Sequence, residues 1–189
     1  MSALATKEQL STNGIWRVDP EHSSIEFQVR HRVIETVKGR FLDFDGVVDP
    51  GEVPRMAGSI RVASLDTHHA ERDEHLRSRD FFDVERFPEM GFVSTSVELS
   101  DDGALIVLGV LMIKRIARPI QLIGTFRGRE VGLDGRERIA FELRGSLNRQ
   151  DYGLTWNRLL ESGGLLVGNT IELALDVAAH SEVTLERAA

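Results

Sequence analysis

The chain has 189 residues and a net charge of −7, from 30 acidic and 23 basic side chains. Its acidic excess argues against a nucleic-acid partner, because a phosphate-binding surface needs a basic excess. The absence of cysteine excludes disulfides, thiolate metal ligands and cysteine nucleophiles. Residues 1–14 hold no apolar run of signal-peptide or membrane-span length. We therefore expect a flexible N-terminal segment, no transmembrane segment and a cytoplasmic location.

The first strand signal lies within residues 15–31. From Ile25 onward apolar and polar side chains alternate, which places Ile25, Phe27 and Val29 on one face of a half-buried strand. The preceding corner, residues 19–23, holds Asp, Pro and Ser, which satisfy turn amides and fix the backbone angle φ. We interpret this corner as architecture rather than as part of a catalytic site.

Further strand-like segments follow at short spacing, with glycine, proline or Asp-Gly turns between them. The segment 37–48 is predicted to bend, because Phe41 and Phe44 are three residues apart and cannot share one face of a regular strand. Later segments cover residues 59–63, 90–99, 105–113, 120–127, 139–147 and 171–177. Alternation favours antiparallel pairing, and about eight such strands favour an all-β sandwich or barrel. No linker divides the chain, so we predict one domain over residues 15–180 and a C-terminal tail at 181–189.

A short helical insert is predicted near residues 69–82. Thr67 is a candidate N-cap, and the aromatic pair Phe81 and Phe82 is expected to pin the end of the insert to the body of the protein. The insert is otherwise highly charged, which is typical of a helix that lies on the surface.

The same insert holds residues at metal-ligand spacing. His69 with Asp73, and Glu71 with His75, are each four residues apart, as in helical metal sites. The alternative is a solvated helix face with local ion pairs. This alternative is favoured because the sequence shows no further residues that would orient these side chains as metal ligands. We therefore predict no metal site and no cofactor.

Residues 105–113 differ from the other strands because they are apolar on both faces. The outward face would expose Ile106, Leu108, Val110 and Met112 on a solvated barrel. Two interpretations stay open at this point. The helical insert or a terminal segment covers this face, or the face is a subunit interface, which makes a homodimer possible.

No constellation for catalysis stands out. The GxSxG nucleophile elbow is absent from the sequence, and Ser23 and Ser24 beside His22 point in different directions in a strand or turn. Asp43 and Asp45 share a strand face but have no evident partner for acid–base chemistry. We therefore predict no catalytic residues and expect a protein that is not an enzyme.

Five segments give the chain a resemblance to the YceI family of polyisoprenoid-binding, lipocalin-like proteins. They are WRVDPEHSSIEFQVRH (16–31), KGRF (38–41), SLDTHHAERDEHLRSRDFFDVERFPEMGF (64–92), GSLNRQDYGL (145–154) and VGNTIELALDV (167–177). The resemblance implies an antiparallel eight-stranded β-barrel whose elongated apolar lumen holds a long-chain isoprenoid or fatty lipid. The sequence departs from the family at residues 108–120, where LGVLMIKRIARPI lacks the usual turn glycine.

Lumen candidates come from the inward phase of each predicted strand, together with Trp156 at one end of the barrel. The predicted ligand-binding residues are Phe27, Val29, Phe41, Phe92, Leu111, Ile113, Leu122, Phe126, Phe141, Leu143 and Trp156. With such a lumen the protein sequesters or transports its lipid. Two alternatives stay open: a protein-interaction module whose barrel is packed solid, and an enzyme acting on a hydrophobic substrate.

Overall fold

The computed structural model describes residues 14–31, 35–132, 135–158 and 166–184. Its single α-helix within these ranges is α1 (Ala70–Arg77), and 3-10 turns occupy Pro20–His22, Val62–Ser64 and Arg149–Tyr152. The strands are β1 (Trp16–Val18), β2 (Ser24–His31), β3 (Glu35–Phe41), β4 (Phe44–Asp49), β5 (Arg55–Arg61), β6 (Leu65–Asp66), β7 (Glu89–Leu99), β8 (Ala104–Ile113), β9 (Ile116–Val131), β10 (Arg136–Asn148) and β11 (Val167–Thr184).

The strands form one antiparallel sheet that closes on itself. Hydrogen-bonded neighbours follow the order β1-β4-β5-β7-β8-β9-β10-β11, and β1 pairs with β11 to close a ring of eight strands. Strands β2, β3 and β6 extend the same sheet beyond the ring. β2 pairs with the N-terminal half of β11, β3 pairs with β2, and β6 pairs with β3. This architecture confirms the predicted all-β, antiparallel, eight-stranded barrel with a short helical insert.

At the corner formed by residues 19–23, one edge of β11 changes its pairing partner from β2 to β1. β11 pairs with β2 as far as Asp176 and with β1 from Ala179 onward. Between them, Asp19 accepts a hydrogen bond from the Glu21 amide at 3.0 Å, and Ser23 Oγ bonds to the backbone of Ala178. The corner is a structural brace, as its composition predicted.

The predicted bend in segment 37–48 is present. β3 ends at Phe41 and β4 begins at Phe44, and both side chains are buried because the two residues between them reset the inward phase. At the other end of the chain, β11 continues to Thr184, four residues past the predicted domain end at 180. The domain boundaries themselves stay a prediction.

Two apolar clusters fill opposite ends of the barrel. The lower cluster surrounds Trp16, which is fully buried, and includes Leu105 at the start of β8. The upper cluster surrounds Phe81 and Tyr152 and includes Ile113 at the end of β8. Between the two clusters, the interior of the barrel is lined by side chains from the middle of the strands.

The helical insert packs on the upper cluster, but its first turn differs from the prediction. His69 is the N-cap, and its Nδ1 accepts from the Arg72 amide at 3.3 Å. Thr67, the predicted cap, instead donates its amide and its hydroxyl to the buried carboxylate of Asp73. The prediction failed because a buried acceptor within the helix competes for Thr67.

The outward face of β8 is exposed. Leu108 is 40% exposed, Val110 37% and Met112 46%, so the helical insert does not cover this face. That half of the first interpretation is wrong, because α1 packs at the upper end of the barrel. The terminal segments that could also cover it, residues 1–13 and 185–189, lie outside the described residues.

Candidate ligand-binding cavity

A cavity of about 530 Å³ occupies the interior of the barrel. It extends from Val48 and Val177, in the lower cluster, to Phe81 and Trp156 at the upper end. This volume is within the range of about 300–1,000 Å³ that is typical of small-molecule sites. The barrel is therefore not packed solid.

The wall of the cavity is almost entirely apolar. Phe27, Val29, Phe92 and Leu111 all point inward, yet each is only half-buried, because its side chain faces the cavity rather than other atoms. An apolar cavity of this kind offers bound water few hydrogen-bond partners, whereas it offers an alkyl chain dispersion contacts along its whole length.

The structure brings together nearly all of the predicted lumen residues. Those that line the cavity are Phe27, Val29, Phe41, Phe92, Leu111, Ile113, Leu122, Phe141, Leu143 and Trp156. Phe126 also points inward, but it lies deeper in the lower cluster, against a separate void that Leu105 and Ile139 also line. Phe126 therefore does not line the main cavity, although its side chain has the expected inward phase. Whether any of the eleven residues contacts a ligand stays a prediction.

Aromatic rings border the upper end of the cavity. The rings of His75, Phe81 and Trp156 form a triangle with centroids 4.7–5.2 Å apart, and His75 meets Trp156 edge-on at 90°. His75 Nε2 is also 3.1 Å from the Asp80 carboxylate, which fixes the orientation of the ring. Trp156 thus lies at one end of the barrel, as predicted.

The polar residues of the helical insert reach the same end, but they serve the fold. Arg72 donates to the hydroxyl and carbonyl of Thr67, both at 2.7 Å, and Asp73 is held by Thr67. Across the described ranges, histidine and carboxylate side chains do not come together in any group of three or more that could hold a metal ion. His69 caps the helix, Asp73 accepts from Thr67, and His75 pairs with Asp80.

Among the residues that the structure describes, Arg149 is the one basic side chain that is both buried and part of the cavity lining. Its guanidinium donates to four backbone carbonyls, on Leu154, Trp156, Val167 and Gly168. Burial lowers the pKa of Arg149 below the usual arginine value. Within the described ranges the guanidinium has no carboxylate partner, so its charge is offset by carbonyl dipoles.

Several lining residues were absent from the predicted set. The inward face of β11 contributes Ile171, Leu173, Leu175 and Val177. Their alternation was visible in the sequence, and the phase argument that selected Phe27 and Val29 would have found them. Leu76 had no such signal, because a single apolar residue in a charged helix does not reveal which face packs inward.

The closed antiparallel barrel and its apolar interior place the protein in the class of β-barrels that surround an internal cavity. The YceI-like domain family matches residues 16–179, nearly the whole barrel. The chain belongs to the YceI-like family, which confirms the resemblance seen in the sequence.

Relatives and solved structures agree with this assignment. A UPF0312 protein of Staphylococcus aureus (strain MSSA476) is 33% identical over 159 residues, covering 82% of this chain and 90% of its own. The Campylobacter jejuni YCEI protein has a TM-score of 0.70 at 30% identity and covers 82% of this chain and 90% of its own. A polyisoprenoid binding domain from Saccharophagus degradans has a TM-score of 0.66 at 14% identity, covering 88% and 98%, and shares the fold.

Helices of bilayer-spanning length and apolar character are absent from the described part of the chain.

Proposed function

We propose that this protein binds a long-chain isoprenoid or a similar amphiphilic lipid in the barrel cavity and thereby sequesters or transports it. The observation that carries the proposal is the apolar cavity of about 530 Å³ enclosed by the strands. The name of the S. degradans domain, which has the same fold, supports a polyisoprenoid as the ligand class.

The energetics of such a ligand fit the lining. Burial of alkyl carbon contributes about 0.8 kcal/mol per CH₂, so ten carbons contribute about 8 kcal/mol before the cost of ordering the chain. Affinity then needs few polar contacts. The cavity wall supplies few, since the side chains that line its middle are apolar.

The alternative functions are less well supported by the interior. An interaction module with a packed barrel is at odds with the cavity. An enzyme requires titratable groups that converge on a substrate. Titratable side chains border the cavity mainly at its rim, and several of them bond to protein groups: His69 to the Arg72 amide, Arg72 to Thr67, His75 to Asp80 and Arg149 to backbone carbonyls.

Native mass spectrometry of the freshly purified protein, followed by organic extraction, tests the proposal. A bound lipid mass that the solvent releases is expected. A variant that fills the cavity, Leu173→Trp, should carry much less lipid, because Leu173 lines the cavity in register with Phe27 and an indole ring occupies the space of the ligand.

The matched control for this experiment is Glu172→Trp. Glu172 is the exposed neighbour of Leu173 on the outer face of β11, so the same ring is added without entering the cavity. Equal lipid content in wild type and Leu173→Trp, or protein from several hosts that is free of lipid, would contradict the proposal. The expected cytoplasmic location and the homodimer stay predictions.

A further inference from the structure

We propose that the upper end of the barrel docks on an anionic lipid bilayer through two adjacent surfaces. One is the Phe87 cluster, formed by Arg86, Phe87, Lys114 and Arg115. The other is the β7–β9 strip, the outward apolar residues Val93, Leu108, Val110, Met112, Ala117 and Pro119. The inference rests on the proposed function, since a carrier of membrane lipid has to reach a bilayer.

Three cations surround one half-buried aromatic ring in the Phe87 cluster. The charged groups of Arg86, Arg115 and Lys114 lie 5.2, 5.7 and 5.9 Å from the centroid of the Phe87 ring. These distances are within the range of cation–π attraction. The ring therefore holds three basic side chains together at the surface, where their like charges would otherwise drive them apart.

The uncompensated charge of the cluster rests with Lys114 and Arg115. Arg86 is partly neutralised, because its guanidinium lies 3.6 Å from the Asp83 carboxylate. Neither Lys114 nor Arg115 forms an ion pair with any carboxylate in the described ranges. In a chain with a net charge of −7, this is a local basic surface against an acidic background.

The backbone at these two residues is strained. Ile113 pairs with Ile116, so Lys114 and Arg115 form a two-residue hairpin turn with φ of 50° and 63°. Asn-Gly is the sequence that fits this conformation with least strain. Lys114 and Arg115 thus adopt a backbone conformation that costs more conformational free energy for them than for Asn and Gly. Such a backbone outlier is a reason to look for a functional role.

The β7–β9 strip begins next to the cluster and supplies apolar area. Cross-strand pairs place Val93 beside Val110 and Val110 beside Pro119, with Met112 one step nearer the turn. Val93 is 59% exposed. Exposed apolar side chains bordered by basic residues are the composition of surfaces that lie on anionic membranes.

The cluster is also linked to the upper end of the cavity. Lys114 Nζ donates to the carbonyl of Phe81 at 2.7 Å, and Phe81 is one of the three rings that border that end. Ile113, next to Lys114, lines the cavity from the inside. Docking through this surface places the aromatic end of the cavity close to the bilayer, which is where a lipid would enter or leave.

Vesicle flotation tests the proposal with the full chain. Wild-type protein should float with phosphatidylcholine vesicles that contain phosphatidylglycerol and not with pure phosphatidylcholine. The variant Lys114→Asn/Arg115→Gly should bind about 25-fold more weakly, because each basic residue near an anionic surface contributes about fivefold. The same variant relaxes the turn but also removes the hydrogen bond from Lys114 to the Phe81 carbonyl. The melting temperatures of both proteins are therefore measured, and binding is compared at a temperature at which both are folded, so that weaker binding has no origin in unfolding.

The matched control is Arg30→Gln/Arg55→Gln, which removes the same charge from exposed residues outside the cluster. Binding equal to wild type is expected for this control. If both double variants weaken binding equally, net charge governs the interaction and the proposed surface is wrong. If wild type carries extractable lipid but does not float with anionic vesicles, the docking surface is wrong while the proposed function stands. If the protein floats but no lipid is ever extracted, the proposed function fails instead.

The strip has its own test, in which a second copy of the chain is the competing occupant. Val93→Ser/Met112→Ser should weaken vesicle binding. Val53→Ser/Val131→Ser changes two apolar residues elsewhere that are at least as exposed, and it should not weaken binding. Sedimentation velocity without vesicles should show no change in mass for either variant. A wild-type dimer that only the first variant dissociates would assign the strip to self-association and overturn the bilayer proposal for it.

Discussion

At Arg149 a single guanidinium joins two separate segments of backbone. It donates to the carbonyls of Leu154 and Trp156 on one side and to those of Val167 and Gly168 on the other. These segments flank the upper end of the cavity. The Val167 carbonyl also accepts from the Asn157 side-chain amide at 2.7 Å, so the carbonyls that rely most on the buried guanidinium are those of Leu154, Trp156 and Gly168.

Replacement of this guanidinium is expected to destabilise the fold. Arg149→Met removes the donor to the carbonyls of Leu154, Trp156 and Gly168, and we expect a loss of about 3 kcal/mol in the free energy of unfolding. The loss is no larger because the cost of burying the guanidinium charge is removed at the same time. Arg149→Lys should lose nearly as much, because one ammonium group cannot reach both segments. Urea unfolding with an unchanged m-value measures the effect.

Arg144→Met is the control for this experiment, because Arg144 is exposed on β10. Its substitution should change the stability by no more than about 0.5 kcal/mol. If Arg149→Met and Arg144→Met are equally stable, the carbonyl network of Arg149 does not hold the upper end of the barrel.

Among the elements, the β9–β10 pair shows how close approach of backbones restricts the sequence. Gly124 is in register with Leu143, and a Cβ atom added at Gly124 would overlap the carbonyl of Glu142. That obstacle is backbone, which cannot move aside as a side chain would. We therefore expect Gly124→Ala to cost about 3 kcal/mol or more in the free energy of unfolding, measured by urea unfolding.

Gly91 on β7 provides the matched control. The nearest heavy atom to a Cβ added there is the methyl carbon of Met112 at 3.9 Å, which is an ordinary contact. Gly91→Ala should be neutral or slightly stabilising, because alanine loses less backbone entropy than glycine on folding. Similar stability of the two alanine variants would show that β9 and β10 can separate without cost.

Alternation in the sequence was sufficient to predict which face of each strand points inward, but not how deep each residue lies. Phe27, Val29 and Leu111 reach the cavity as expected. Phe126 shares their phase but packs in the lower cluster, because strand tilt and the bulge opposite Phe141 set its height along the barrel. The alternation of inward and outward side chains carries no information on how far along the barrel axis a residue lies.

The helical insert was the element least predictable in detail. Its existence followed from composition and capping signals, but its N-cap is His69 rather than Thr67. The contact that decides this, between Thr67 and the buried Asp73, depends on how α1 packs on the barrel. The same limitation applies to Arg149, whose four carbonyl partners lie in segments that only the fold brings together.

At the scale of the whole molecule, the barrel surrounds an apolar volume whose two ends are bordered by different chemistry. Below the lower end lies the buried Trp16, whose ring centroid is 5.8 Å from the guanidinium carbon of Arg129. The rings of His75, Phe81 and Trp156 border the upper end. A long ligand therefore has a finite length of apolar wall available to it.

This finite length leads to a prediction about ligand size. The affinity of the delipidated protein for a series of unbranched primary alcohols should rise by about 0.8 kcal/mol per added CH₂ until the cavity is filled, and then stop rising. In Leu173→Trp the rise should end at a shorter chain, because the indole ring takes up part of the cavity that Leu173 lines. Isothermal titration calorimetry, or the ligand-induced shift in melting temperature, measures both series. Affinity that does not depend on chain length, or the same limiting length in both proteins, would mean that the alcohols bind outside the cavity that Leu173 lines.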